Sequence, residues 1–249
     1  MGRFRAPVAL AGFGMILAFG AAAAPPSPNF SGRYFMQPGF GAPGQRDGSL
    51  QTSGGAKSFI ETPPLKGKYA EDYAKVLESR KAGRPIGDNA ARCLPGFALG
   101  AFANPYPVEA IQTKDQIVFL FEGTDRVRRI YTDGRGHPKQ LQPAFYGHSI
   151  GHWEGDTLVV DTVGFRADTT VADGATHSDR LHAVEHLKLV EGGKALQWDM
   201  TFTDPEALSA PFAMRYRLDS DPSIRMMEYA CAENNRNVVN DRGETTSPG

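Results

Sequence analysis

The sequence predicts a mainly β protein: one curved antiparallel sheet, closed as a barrel or folded as a β-sandwich, with one N-terminal helix. Three observations carry that expectation. From Tyr106 onward, short apolar or alternating runs follow one another. Gly- and Asp-containing turns punctuate them, the pattern of strands joined by tight connections. Only one segment, ahead of these runs, repeats its apolar residues at helical spacing. About eight or nine short strands after a single helix suit such a sheet.

Residues 1–24 read as a signal peptide. Arg3 and Arg5 supply the positive start, Pro7 to Phe19 the apolar stretch, and Ala21 to Ala24 the small residues of a cleavage site near Ala23 or Ala24. An apolar run of about 13 residues falls short of the roughly 20 needed to span a bilayer, so an anchor is disfavoured. No cysteine lies beside the cut, which argues against an acylated lipoprotein. The mature chain, of about 225 residues, is expected to be periplasmic or secreted and not stably inserted in a membrane.

Residues 25–64 read as an extended Gly/Pro-rich arm with one strand-like island at Phe30 to Met36. Residues 65–236 read as a single mainly β domain. Its helix spans about Lys68 to Ala82, where Tyr69, Tyr73, Val76 and Leu77 recur at helical spacing and Gly83 follows as a terminator. Pro85 to Pro107 is an irregular loop around Cys93. Strands are expected at Val108 to Gln112, Gln116 to Glu122 and Arg126 to Tyr131, then at His148 to His152 and Thr157 to Thr162. A Gly-Gly turn joins Leu181 to Val190 with Ala195 to Thr203, and Phe212 to Leu218 pairs with Ser223 to Cys231. Residues 237–249 read as a flexible tail. Of the two closures, the barrel, lipocalin-like in outline, is placed ahead of the sandwich, although the strand pattern does not separate them.

Alternation assigns faces. Phe212, Met214, Tyr216 and Leu218 share one face and Arg215 and Arg217 the other, while Trp198, Met200 and Phe202 form a second apolar row. These rows are core before they are evidence of a ligand. Cys93 and Cys231 are the only cysteines, and an even count in an exported chain predicts a disulfide, with two buried thiols as the alternative. A formal net charge of -1 offers no long-range attraction to nucleic acid.

The run from Gly147 to Thr162, Gly-His-Ser-Ile-Gly-His-Trp-Glu-Gly-Asp-Thr-Leu-Val-Val-Asp-Thr, together with His177-Ser178 and the Glu228-Tyr229, Cys231, Glu233-Asn234-Asn235 segment, resembles a large group of exported proteobacterial and acidobacterial proteins. Arg92-Cys93-Leu94-Pro95, Arg128-Arg129-Ile130-Tyr131, Asp133-Gly134-Arg135 and His137-Pro138 fit the same signature, which covers about Ala91 to Arg236. His152 departs from it, standing where the resemblance implies Arg.

The residues themselves suggest proton transfer. His148 follows a glycine and opens a strand, His137 lies in a Gly-Pro turn, and His177 sits in a polar loop; an imidazole titrates near pH 6.5, close to neutrality. His148, Asp161 and His177 are therefore the expected catalytic residues. Arg129, Tyr131, His137, Trp153 and Glu185 are the expected ligand-binding ones. Asp161 and Glu185 lie in strands and need partners, Arg129 being one candidate, and a structural salt bridge is the bland alternative. No cofactor or metal is expected. His182 and His186 would stand about 13 Å apart along a strand, and a His137, His148 and His177 ligand set is undetermined. Gly147 to Gly151 matches a nucleophile elbow in letters, but a strand follows it instead of a helix.

Three functions follow: an isomerase or lyase using a His-carboxylate pair on a small organic molecule, a non-catalytic binder of a small apolar or aromatic molecule, and a structural envelope protein. Oligomerisation is left open.

Overall fold

A computed structural model describes residues 27–36, 62–87, 89–95, 106–124, 126–172, 174–234 and 238–246. The expected signal segment and much of the Gly/Pro-rich arm lie outside the described residues. The fold is a closed barrel of nine strands, in the order β1 (Gly32–Met36), β11 (Phe212–Ser220), β10 (Ala195–Thr203), β9 (His182–Val190), β6 (Thr157–Val163), β5 (His148–Glu154), β4 (Arg126–Tyr131), β3 (Gln116–Phe121) and β2 (Val108–Gln112). The helix α1 spans Gly67–Lys81 and buries Tyr69 and Val76, whereas Leu77 is exposed. Gly83, at φ +69°, turns the chain away and donates its N–H to the Arg80 carbonyl.

Alternation decides what fills the barrel. Ile117, Phe119 and Phe121 of β3, Leu158 and Val160 of β6, and the predicted rows of β10 and β11 all point inward and are buried. Trp198 is fully buried against Phe119, with ring centroids 4.9 Å apart. The barrel centre is therefore packed with side chains.

Two elements differ from expectation. Ser223 to Cys231 forms no strand until the four-residue helix α2 (Cys231–Asn234) begins. Its expected place beside β11 is taken by β1, which pairs with β11 on one edge and β2 on the other, leaving no edge free. The Phe30 to Met36 island thus closes the barrel, with Phe30 and Tyr34 in the core. The segment expected as a tail carries a hairpin of β12 (Val238–Val239) and β13 (Thr245–Thr246), docked where Thr245 donates its N–H to the Pro85 carbonyl. A small pair, β7 (Thr170–Ala172) and β8 (Ala175–Thr176), lies beside α1.

Cys93 and Cys231 are disulfide-bonded, with Cα atoms 5.6 Å apart across 138 residues of chain. The bond is compatible with an extracytoplasmic location. Among the described residues no helix is long and apolar enough to cross a membrane.

Candidate active site

One junction of the barrel departs from antiparallel pairing. β4 and β5 run parallel and share only two register pairs, Ile130 beside Ser149 and Tyr131 beside Ile150. A parallel connection requires a long crossover, here residues 132–147. Its last part is held away from β4: Ala144 donates to the Gly164 carbonyl and accepts from the Arg166 N–H. Gly147 then turns into β5 at φ +61°, where a Cβ would stand 2.6 Å from the Val163 carbonyl oxygen. The first half of β4, paired with β3 on one side, consequently has no described strand beside it on the other. A cleft of about 440 Å³ opens there, lined by residues 126–129, Tyr131 and residues 144–149.

At the rim of this cleft a chain of polar rings begins. His148 Nδ1 lies 2.8 Å from His137 Nδ1, His137 Nε2 lies 2.8 Å from Asp161 Oδ1, and His182 Nε2 lies 2.7 Å from Asp161 Oδ2. Strand alternation explains the grouping, since His148, Asp161 and His182 all point to the outer face of adjacent strands and His137 is laid over them by the crossover. Tyr131 stacks on His148 with centroids 5.4 Å apart and carries the Arg135 guanidinium on its ring at 4.0 Å.

Ionisation follows from these contacts. Burial, reinforced by His137 and the Arg135 charge, holds the His148 imidazole below its ordinary value, so it is neutral at pH 7. Burial alone would raise the Asp161 carboxyl, but hydrogen bonds from His182 and His137 outweigh it and keep the group ionised. An ionised Asp161 accepts the Nε2–H of His137. In the tautomer in which His137 donates from Nε2 and accepts at Nδ1, His148 donates from Nδ1 and carries its lone pair on Nε2. That nitrogen has no hydrogen-bond partner among the described residues. The arrangement can take up a proton at the cleft and pass positive charge back toward Asp161.

Behind the cleft wall the barrel holds a second polar group. Arg128, 2% exposed, forms a bidentate pair with Glu185, Nη1 to Oε2 at 2.8 Å and Nη2 to Oε1 at 2.6 Å. Thr162 and Trp198 donate to the same carboxylate, and Ser149 accepts from Arg128. Every lone-pair direction of Glu185 is thus used.

Of the expected catalytic residues, His148 and Asp161 are joined through His137, while His177 is elsewhere. His177 is buried, donates from Nδ1 to the Ser178 carbonyl, and has its Nε2 2.7 Å from the Thr169 hydroxyl. Burial lowers its pKa, against the raising effect of the Ser178 carbonyl and nearby acids, so it is a neutral packing residue. Among the expected ligand-binding residues, Arg129 and Tyr131 line the cleft and His137 links the relay. Glu185 does not line the cleft; its partner is Arg128, and Arg129, on the outer face, is not involved. Trp153 packs on Phe30 at 5.1 Å instead of reaching the cleft. With His177 removed, the His137, His148 and His177 metal set is not assembled, and among the described residues no cluster of three or more ligating side chains is placed to hold an ion.

Sequence reasoning missed Arg126, Arg128 and His182. A signal for Arg128 was present: period-2 alternation puts it in register with buried Ile130, and an arginine in an apolar row needs an interior partner. His182 was recognised only as half of a pair with His186, which faces solvent.

No protein-family model and no curated protein matches the chain.

Proposed function

We propose that this chain is an exported barrel enzyme that moves a proton on a small organic molecule bound in the cleft, as an isomerase or lyase. The carrying observation is the His148–His137–Asp161 chain at the rim of the cleft, which in the tautomer with Nδ1 of His148 donating leaves its Nε2 lone pair for the substrate. In the reaction His148 Nε2 forms an N–H bond as a C–H bond of the substrate breaks. The electron pair delocalises onto an adjacent carbonyl of the substrate. The proton then returns at a second atom in an isomerase, or the electron pair expels a leaving group in a lyase. Asp161 orients His137 and stabilises the cation formed along the relay, the role a carboxylate plays behind a catalytic imidazole. His182 fixes the other oxygen of that carboxylate. The signature from Gly147 to Thr162 supports this reading, because it supplies the turn at Gly147, the base at His148, the wall at Ser149 and the carboxylate at Asp161.

The test is deuterium exchange. The mature protein is mixed in D₂O with a panel of small carbonyl compounds and their C–H signals are followed by proton NMR. At least one compound is expected to exchange with the native protein and not with His148→Gln, while both proteins melt within a few degrees of each other. Exchange by His148→Gln at the native rate, or none by the native protein across the panel, overturns the proposal and leaves a binding or structural role.

A further inference from the structure

Cationic groups without acceptors line the cleft, and they bear on what it binds. The side chains of Arg126 and Arg129 have no hydrogen bond or ion pair among the described residues, and Arg126 Nε is buried without an acceptor. Arg128 spends both Nη groups on Glu185, which leaves its Nε–H buried and likewise without an acceptor. A buried donor without a partner is uncommon in folded proteins and marks a place where an acceptor belongs. Among the described residues no carboxylate lines the cleft, so no described part of its wall neutralises these two guanidinium groups. Phe145 stands among them, with the Arg126 and Arg166 guanidiniums 5.6 and 4.3 Å from its ring centre.

We infer that the cleft is an oxyanion site, taking a small organic carboxylate or phosphate ester whose charged end meets the guanidinium groups of Arg126 and Arg129 and whose apolar body lies along the aromatic wall. Planar guanidinium forks suit both headgroups, and a volume of about 440 Å³ lies in the small-ligand range. The inference rests on the proposed function in placing the ligand beside His148, and it names the substrate class of that site. An anchored oxyanion would hold the rest of the molecule near Nε2 and orient the C–H bond to be broken.

The experiment is calorimetric titration of the mature protein with benzoate, phenyl phosphate, inorganic phosphate and neutral benzamide at low salt. Benzoate or phenyl phosphate is expected to bind about tenfold or more tightly than benzamide, since each carries charge-assisted hydrogen bonds the amide lacks. The tighter of the two assigns the headgroup, and inorganic phosphate binding alone as well would assign an unadorned anion and overturn the apolar-body half of the inference. The Arg126→Met/Arg129→Met double variant is expected to lose about tenfold or more of that affinity while its melting temperature holds. Lys114→Met/Lys194→Met, an equal charge loss at two exposed turns, keeps native affinity. Benzamide binding as tightly as the anions, undetectable anion binding, or native affinity in the double variant overturns the inference. The two readings fail separately. His148→Gln retains anion affinity if the oxyanion site stands, whatever becomes of deuterium exchange. Exchange confined to neutral carbonyl compounds would preserve the proton-transfer reading and remove the anion.

Discussion

Replacing Glu185 by Leu probes the interior of the barrel most directly. Both partners of the Arg128–Glu185 pair are essentially inaccessible, at 1% and 0% side-chain exposure, so solvent offers no screening. Removing one member of a buried pair costs about 3–5 kcal/mol, because the other charge is left uncompensated. Here the Trp198 Nε1–H also loses its acceptor, 2.8 Å away, which adds about 1–3 kcal/mol. The combined expectation for Glu185→Leu is a loss of about 5 kcal/mol. For a domain of this size that corresponds to a melting temperature lower by about 10–20 °C. The Arg128→Met/Glu185→Leu double variant removes both charges of the pair, and the indole N–H and neighbouring hydroxyls lose only the bonds they made to it. It should therefore recover about 2 kcal/mol or more of the loss despite carrying an additional substitution. Urea unfolding followed by the fluorescence of Trp198 and Trp153 measures both variants. A single variant costing less than about 1 kcal/mol, or a double variant no more stable than the single, would refute the assignment of Arg128 as a charge held by Glu185.

Three further outcomes are expected. His177 and His148 both have folded pKa values below their ordinary ones, so the unfolded chain binds protons first as pH falls. Their stability contribution is complete above about pH 6.5 and declines below it, at up to about 1.4 kcal/mol per pH unit for buried His177 and more shallowly for the more exposed His148, until the folded values are passed. His177→Gln should flatten part of that slope in urea titrations at pH 7 and pH 5.5, and an unchanged slope would show that His177 is not buried neutral. Gly147→Ala should lower stability by more than about 1 kcal/mol in the same assay, because its φ of +61° is unfavourable for alanine and the added Cβ meets the Val163 carbonyl at 2.6 Å. Reduction of the Cys93–Cys231 bond should destabilise the protein by up to about 5 kcal/mol for the 138-residue separation. Intact-mass analysis should find no alkylatable thiol before reductant, and two would contradict the bond.

Much of the barrel was legible because alternation is a local property. β2, β4 and the inner rows of β10 and β11 could be read from runs such as Phe212, Met214, Tyr216 and Leu218, where the pleat itself decides which side chains share a face. The closing strand was less legible. β1 and the segment after Ser223 offer similar short runs, and only pairing across the chain decides which of them borders β11. The candidate site was legible in part: His148 and Asp161 were singled out by their motif, and His137 by its turn. His177 was grouped with them because it is a histidine in a polar loop, yet it is satisfied by Thr169 and the Ser178 carbonyl.

By itself the sequence determined the β class, the helix near Tyr69, the two-cysteine pairing and the alternation that sends Asp161 outward and Glu185 inward. Those features depend on neighbours within a few residues or on a choice with one alternative. Tertiary structure alone decided that β4 and β5 meet in parallel over two pairs, that a cleft opens beside them, and that Arg128, not Arg129, neutralises Glu185. It also decided that His137 bridges His148 to Asp161. Such contacts join residues from separate strands and a crossover loop, and their distances are set by barrel closure and strand register, which the pattern along a single strand does not contain.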